Sequence, residues 1–380
     1  MISGGGTGGH VYPALAVTDW LTTDHSQPLA VCWVGSAGGP EEALVTRAGL
    51  PFERVSAAKI RGKHPVAVAA ACWALARGYR QARRIVARFR PEVLFVTGGY
   101  VCWPVTFAAW RAGVPVLIYL PDVEPGLAIK SLARFARQIA VTQAASLRFF
   151  RPGQASVTGY PVRAALFQRD RQEARRQLGL PVESAPGRDL PVLLVFGGSQ
   201  GAHSINQAVT GGLVALLSAA HVVHVTGQRD AEAIRAQRSA LPEELQRRYY
   251  VYDYLDAEMV DALVASDLAV ARAGASTLGE LPAAGLPGVL VPYPYAGAHQ
   301  WANARLLADA GAAVIITDAE LPATLVPTVL GLLADTQRRT AMGQASRALA
   351  RPEAAAEIGG WLYRLAATGQ RGEHYERAKN

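Results

Sequence analysis

Two glycine-rich stretches in this 380-residue chain have the composition of anion cradles. They are Gly4-Gly5-Gly6-Thr7-Gly8-Gly9, ahead of His10, and Gly197-Gly198-Ser199-Gln200-Gly201-Ala202, directly after the apolar run Val192–Phe196. Each has the form of a turn between a strand and a helix. Glycine accepts positive φ there and lets backbone N–H groups approach a phosphate, and the helix that follows adds its N-terminal dipole. One such loop in each half points to two αβ domains that share a diphosphate-bearing ligand. His10 sits where the first loop meets its helix, and imidazole titrates in the range that proton transfer needs. It is the first candidate for a base, or for a group that positions an acceptor. Asp122, just after the apolar run Val116–Leu120, is the competing carboxylate. Its plainer alternative is a helix cap ahead of Pro125-Gly126.

The elements that must hold these loops follow from the alternation of apolar runs and helical patterns. Leu29–Val34, Val93–Thr97, Val116–Leu120 and Gln138–Thr142 read as buried parallel strands, with helices over Pro13–Thr22 and Val101–Ala112. The pattern restarts at Val192–Phe196. It continues through His221–Thr226, Tyr249–Tyr254, Leu268–Ala271, Gly288–Val291 and Ala313–Ile316. Ala202–Ala219, Asp256–Ala265, Ser276–Ala284 and Gln300–Ala310 are the intervening helices. This βαβα order predicts α/β domains with parallel sheets. The boundaries expected are 1–160 and 164–350, linked through Tyr160–Arg163. A last helix near 352–367 packs back on the first domain, and a polar tail over 368–380 frays. Gly4, Gly6 and Gly9 fit a dinucleotide fingerprint, but Val34-Gly35-Ser36 stands where that fingerprint needs an acidic residue. Only Met1-Ile2-Ser3 precedes the first loop, shorter than the strand such a loop normally follows, so a start placed too late is an expectation.

Half of the residues are hydrophobic and 18% are charged, the balance of a globular chain. Cys32, Cys72 and Cys102 have no metal-ligand spacing and form no disulfide framework, which suits a reducing, cytoplasmic setting. No signal peptide and no stretch long enough to span a bilayer is read. The net charge of +8 is uneven: residues 1–160 carry 17 Lys and Arg against 8 Asp and Glu, and the remainder carries 21 against 22. A basic first half suggests an anionic partner, nucleic acid or membrane. Pro65–Ala76 is almost wholly apolar and contains Trp73. Arg77, Arg80, Arg83, Arg84, Arg88 and Arg90 follow it. That pattern favours an anionic lipid interface over nucleic acid, with a buried core helix as the alternative.

Gly4–His10 running into Val11-Tyr12-Pro13-Ala14-Leu15-Ala16 resembles the opening of the MurG family, glycosyltransferase family 28. Further blocks match in the family's order: Gly98-Gly99-Tyr100, Pro125–Ala128, Gly159–Arg163, Gly197–Ala202 with Asn206, Arg272–Thr277 through Glu280, and His299–Ala304. The resemblance spans about residues 1–316. It implies a GT-B fold, two doubly wound Rossmann-like domains facing a deep cleft. It implies inverting transfer of N-acetylglucosamine from UDP-N-acetylglucosamine to undecaprenyl-diphosphate-linked muramyl-pentapeptide, with no metal and no cofactor. It also implies a peripheral position on the cytoplasmic face of the membrane.

By the same resemblance, Thr7, Gly8, Gly9, Gly98, Gly99 and Tyr100 serve the acceptor diphosphate. Gly198, Ser199, Gln200, Ala275, Ser276 and Thr277 serve the UDP phosphates. Glu280 takes the ribose hydroxyls, and His299 and Gln300 point at the donor sugar; Asn303, three residues after Gln300 on the same helix face, is a further candidate substrate-binding residue. Arg163 neutralises phosphate charge or forms a structural ion pair. Two positions depart from the family pattern. Tyr119-Leu120-Pro121-Asp122 stands where His-Glu-Gln-Asn is usual, and Tyr160 where Asn is usual. The departures leave open a related transferase with another lipid or small-molecule acceptor. A UDP-sugar 2-epimerase and a non-catalytic binder of the same fold are the readings from other classes.

Overall fold

The computed structural model describes residues 1–23, 29–58, 65–182, 190–198, 201–295 and 299–377. The chain divides into two compact units, Met1–Val162 with Glu353–Asn380, and Arg163–Pro352.

The first unit is built on a seven-stranded parallel sheet of β1 (Ile2–Gly4), β2 (Trp33–Ser36), β3 (Phe52–Val55), β4 (Leu94–Gly98), β5 (Val116–Leu120), β6 (Gln138–Val141) and β7 (Ala155–Val157). The spatial order is β3-β2-β1-β4-β5-β6-β7. β4, β5 and most of β6 are buried on both faces, which is why they read as continuous apolar runs rather than alternating ones. β2 begins four residues later and ends two residues later than the apolar run Leu29–Val34 suggests, because pairing of Trp33 with Ile2 sets the register. The edge strands β3 and β7 are short and only partly buried, and carry too little apolar signal to be read in advance.

Helix Ala354–Arg377 packs on helix Gly8–Thr23 within this unit. Gly359 lies against the Trp20 ring, close enough that any Cβ would overlap it, and Tyr363 meets the same ring at 6.5 Å. The helix runs past Thr368 to Arg377, where a frayed tail is expected from composition.

The second unit holds a six-stranded parallel sheet of β8 (Val192–Phe196), β9 (His221–Val225), β10 (Tyr249–Tyr252), β11 (Leu268–Arg272), β12 (Gly288–Val291) and β13 (Ala313–Ile315), ordered β10-β9-β8-β11-β12-β13. The helical stretch expected over Ala202–Ala219 is two helices, His203–Gly211 and Leu213–Ala219. Gly212 at the break packs against the Val326 side chain, where a Cβ would not fit.

Both sheets reverse their winding direction beside the strand that precedes a glycine loop, at β1/β4 and at β8/β11. In doubly wound sheets, ligands bind at the carboxyl ends of the strands flanking such a point. The topology therefore delivers the candidate residues to the two places where an α/β sheet can hold a ligand.

Candidate functional site

In the first unit, the loop after β1 packs backbone to backbone on the loop after β4. The Gly5 amide donates to Gly98 O at 3.0 Å, and any Cβ on Gly99 would overlap Gly5 O. Gly6, Gly98 and Gly99 have φ of 88°, 121° and 98°, a region that side chains avoid. Thr7 follows at the loop's exposed tip, and Gly8 and Gly9 open helix Gly8–Thr23. Their amides belong to the first turn, which has no partners inside the helix, so they can meet an anion.

The half-buried His10 ring lies against Gly98, where a Cβ would come within 2.9 Å of Nε2. His10 Nδ1 is 2.9 Å from Gly5 O and 3.3 Å from Thr7 Oγ1. A carbonyl can only accept, so Nδ1 carries a proton, and the nitrogen left to exchange one with a ligand is Nε2. A general base held this way would use Nε2. Gly98, Gly99 and His10 are thus brought together, with Tyr100 adjoining on the same loop.

Asp122 lies in the bend after β5 and is half-buried. It does not cap the next helix: Leu127–Leu132 has Gly126 at its N-cap and no side-chain cap. The two departures from the family pattern meet in this unit. The Tyr119 and Tyr160 rings are 6.1 Å apart at 73°. Tyr119 Oη is 2.7 Å from Thr142 Oγ1 and donates to Gly159 O at 3.3 Å, while Tyr160 Oη donates to Gly9 O at 3.4 Å. Burial pushes the Tyr119 phenol well above its usual range, so it stays neutral. Tyr119 is an internal brace, and Tyr160 ties the end of the unit to the glycine loop.

In the second unit, Gly197 abuts Ala202 and Gly201 abuts Thr226 O so closely that neither can carry a side chain. Gly198 has φ of 84°, and Gly201 N donates to Gly198 O at 2.9 Å. Ser199 and Gln200 lie outside the described residues. The loop after β11 leads through Ala275 and Ser276 into helix Thr277–Ala284. Thr277 Oγ1 donates to Gly274 O at 2.6 Å, which closes the first turn. Glu280 sits one turn further on. Desolvation raises its carboxyl above the usual range, opposed by the Arg163 guanidinium and a hydrogen bond from Ser276. Arg163 also donates to Asp256 O at 2.9 Å. Arg163, Ser276 and Glu280 are therefore one cluster.

In helix His299–Asp309, Gln300 Oε1 accepts from the Tyr293 amide at 2.9 Å. Asn303 is fully enclosed, and its amide donates to Ala273 O at 3.1 Å, so it holds the loop ahead of Ser276. His299 Nδ1 is buried without a hydrogen bond among the described residues.

Two sets of polar residues escaped the sequence reading. Glu41 accepts from the first glycine loop, and its signal was the Gly39-Pro40-Glu41-Glu42 helix start. His224, fully buried, links Asn206 to Tyr249, and no local pattern marks it. Arg272, part of the matched block, pairs with Asp318, donates to Ser204 Oγ at 2.7 Å and lies over the Tyr293 ring.

Residues 1–141 match the glycosyltransferase family 28 N-terminal domain, and residues 192–358 match the glycosyltransferase family 28 C-terminal domain. A Roseiflexus sp. (strain RS-1) protein is 43% identical over 93% of this chain and 92% of its own length. Its name is UDP-N-acetylglucosamine--N-acetylmuramyl-(pentapeptide) pyrophosphoryl-undecaprenol N-acetylglucosamine transferase. A protein of Desulforudis audaxviator (strain MP104C) with the same name is 40% identical over 98% of this chain and 99% of its own. The crystal structure of Acinetobacter baumannii MurG superposes with a TM-score of 0.72 at 28% identity, covering 96% of this chain and 98% of that one. A UDP-GlcNAc 2-epimerase from Neisseria meningitidis, bound to UDP-GlcNAc, reaches a TM-score of 0.65 at 12% identity, a likeness of fold alone. With its glycine loops at both switch points and relatives aligned over nearly the whole length, the chain belongs to glycosyltransferase family 28, among the MurG-like transferases.

Proposed function

We propose that the protein is the hexosyltransferase that moves N-acetylglucosamine from UDP-N-acetylglucosamine to lipid-linked N-acetylmuramyl-pentapeptide, a step of peptidoglycan synthesis. The observation that carries this reading is one amide-lined glycine loop at the switch point of each sheet, in a chain 43% identical to a transferase of that name. The first unit takes the acceptor diphosphate at Thr7, Gly8 and Gly9, beside Gly98, Gly99 and Tyr100. The second takes the UDP diphosphate at the loop after β8 and at Ala275–Thr277, with the ribose hydroxyls on Glu280 and the sugar toward His299 and Gln300.

The chemistry is a single displacement. The acceptor hydroxyl oxygen bonds to the anomeric carbon as the bond from that carbon to the UDP oxygen breaks, and the electron pair leaves with UDP. His10 Nε2 takes the hydroxyl proton, since Nδ1 is occupied by Gly5 O. Asp122 is the alternative proton acceptor. Helix N-termini and backbone amides stabilise the charge that grows on the leaving diphosphate. Donor and acceptor profiling of the purified protein tests the assignment. Transfer to lipid-linked muramyl-pentapeptide is expected; transfer only to another acceptor, or epimerisation of UDP-N-acetylglucosamine without transfer, refutes it.

The same reading puts the protein on the cytoplasmic face of an anionic membrane as a peripheral protein. No helix among the described residues is long and apolar enough to cross a bilayer. Helix Pro65–Phe89 supports surface binding. Ala71, Gly78, Ala82, Ile85 and Val86 face the core, yet Trp73 is 65% exposed, with the Arg77 guanidinium over its ring. An exposed Trp flanked by arginines suits a lipid headgroup boundary. Sedimentation with vesicles should show binding to anionic lipid that weakens with salt; equal binding to neutral vesicles refutes the electrostatic part.

A further inference from the structure

Beneath the first glycine loop lies a carboxylate that takes no part in the transfer chemistry. Glu41 is fully buried, in the first turn of helix Pro40–Arg47. Its Oε1 accepts from the Ser36 amide at 2.8 Å and from the Ser36 hydroxyl, and its Oε2 accepts from the Gly6 amide at 3.1 Å. A Cβ on Gly5 would lie 2.5 Å from the Glu41 carboxyl carbon, and one on Gly39 would overlap Oε1. Two glycines are therefore bare because this carboxylate occupies the space beside them.

We propose that Glu41 is the positioning residue of the acceptor-diphosphate loop. Its carboxylate draws the Gly6 amide inward and so turns the amides of Thr7, Gly8 and Gly9 out toward the diphosphate. The inference rests on the reading of this loop as a diphosphate site. Its physical content is that geometry outweighs charge. A buried negative charge beside an anion site opposes the anion by Coulomb repulsion. It is retained because only a carboxylate can accept from three converging donors with both oxygens. The Gly5 amide is already bonded to Gly98 O, so Glu41 completes the anchoring of the loop's first half and leaves the second half for ligand.

Glu41→Gln separates the two effects. The amide oxygen can keep both Ser36 bonds, which leaves the NH2 group facing the Gly6 N–H, donor against donor. The measurement is titration of farnesyl diphosphate into the full-length protein under saturating UDP, alongside UDP affinity, steady-state transfer and melting temperature. E41Q is expected to weaken farnesyl diphosphate binding roughly tenfold, the size of one lost hydrogen bond, and to raise acceptor KM equally. kcat and UDP affinity should stay near wild type. Ser36→Ala removes a Glu41 partner without touching the Gly6 bond. It should leave diphosphate affinity within roughly twofold of wild type, whatever its melting temperature. Unchanged or tighter diphosphate binding by E41Q overturns the proposal, as does equal weakening by S36A. A wild-type protein that does not bind the diphosphate at all overturns instead the reading of the loop on which it rests.

Discussion

The buried network of the second unit makes a quantitative prediction about acid. Asn206 Nδ2 donates to Thr226 O at 2.8 Å and to Asp230 Oδ2 at 2.7 Å, so Oδ1 is the atom that faces His224. His224 Nε2 must donate to it at 3.0 Å, and Nδ1 then accepts from Tyr249 Oη at 2.8 Å. This is the neutral ring with both nitrogens in use. Burial lowers its pKa from 6.5 to about 3. A depressed folded pKa gives stability that is present in full above 6.5. It is lost as pH falls toward 3, because the unfolded chain binds a proton that the folded one refuses. At pH 5 the unfolded ring lies 1.5 units below its own pKa, and the loss is about 2 kcal/mol. That figure depends on the unfolded pKa alone, as long as the folded value stays well below 5. Other groups titrate over the same range, so the measurement is a difference. His224→Gln can donate to Asn206 and accept from Tyr249 but cannot titrate. Urea unfolding of wild type and H224Q at pH 7.5 and 5.0 should show wild type losing about 2 kcal/mol more than the variant. Parallel losses in the two proteins would mean that His224 is not held neutral by its surroundings.

Replacing His10 with Ala should lower kcat by roughly 10²–10⁴-fold with UDP affinity unchanged; unchanged turnover in a steady-state assay removes His10 as the base and leaves Asp122. Glu280→Ala should weaken UDP binding about 10- to 100-fold, as loss of hydrogen bonds to a charged group does. Because the Glu280 carboxyl is raised above its usual range, UDP affinity should fall with acidification from a higher pH than an ordinary carboxylate near 4.3 allows. Titration calorimetry comparing wild type with E280Q checks this, and matching pH profiles count against it. Gly99→Ala places a Cβ onto Gly5 O at a φ of 98°, at a cost of about 2 kcal/mol or more. A melting temperature equal to wild type would show that the two loops do not touch as described.

Local chemistry was enough to locate much of this protein. Glycine runs directly after apolar runs mark strand-to-loop turns, because backbone freedom and β-pattern are properties of contiguous residues. Val192–Phe196 and Val116–Leu120 are legible for that reason, as are Gly4–His10 and the ordered blocks through His299–Ala304. Pairings across long sequence separations were not legible. Nothing near Tyr160 announces that its hydroxyl meets Gly9, 151 residues earlier, or that its ring meets Tyr119. Two positions that look like unrelated departures from a family pattern are one contact in space. Likewise Asn303 shares a helix face with Gln300 and reads as a substrate contact, yet its buried amide holds Ala273 O. Glu41 and His224 belong to the same class. A buried polar side chain takes its meaning from which donors and acceptors the fold brings to it, and that is decided by sheet order and helix packing rather than by its neighbours in the chain.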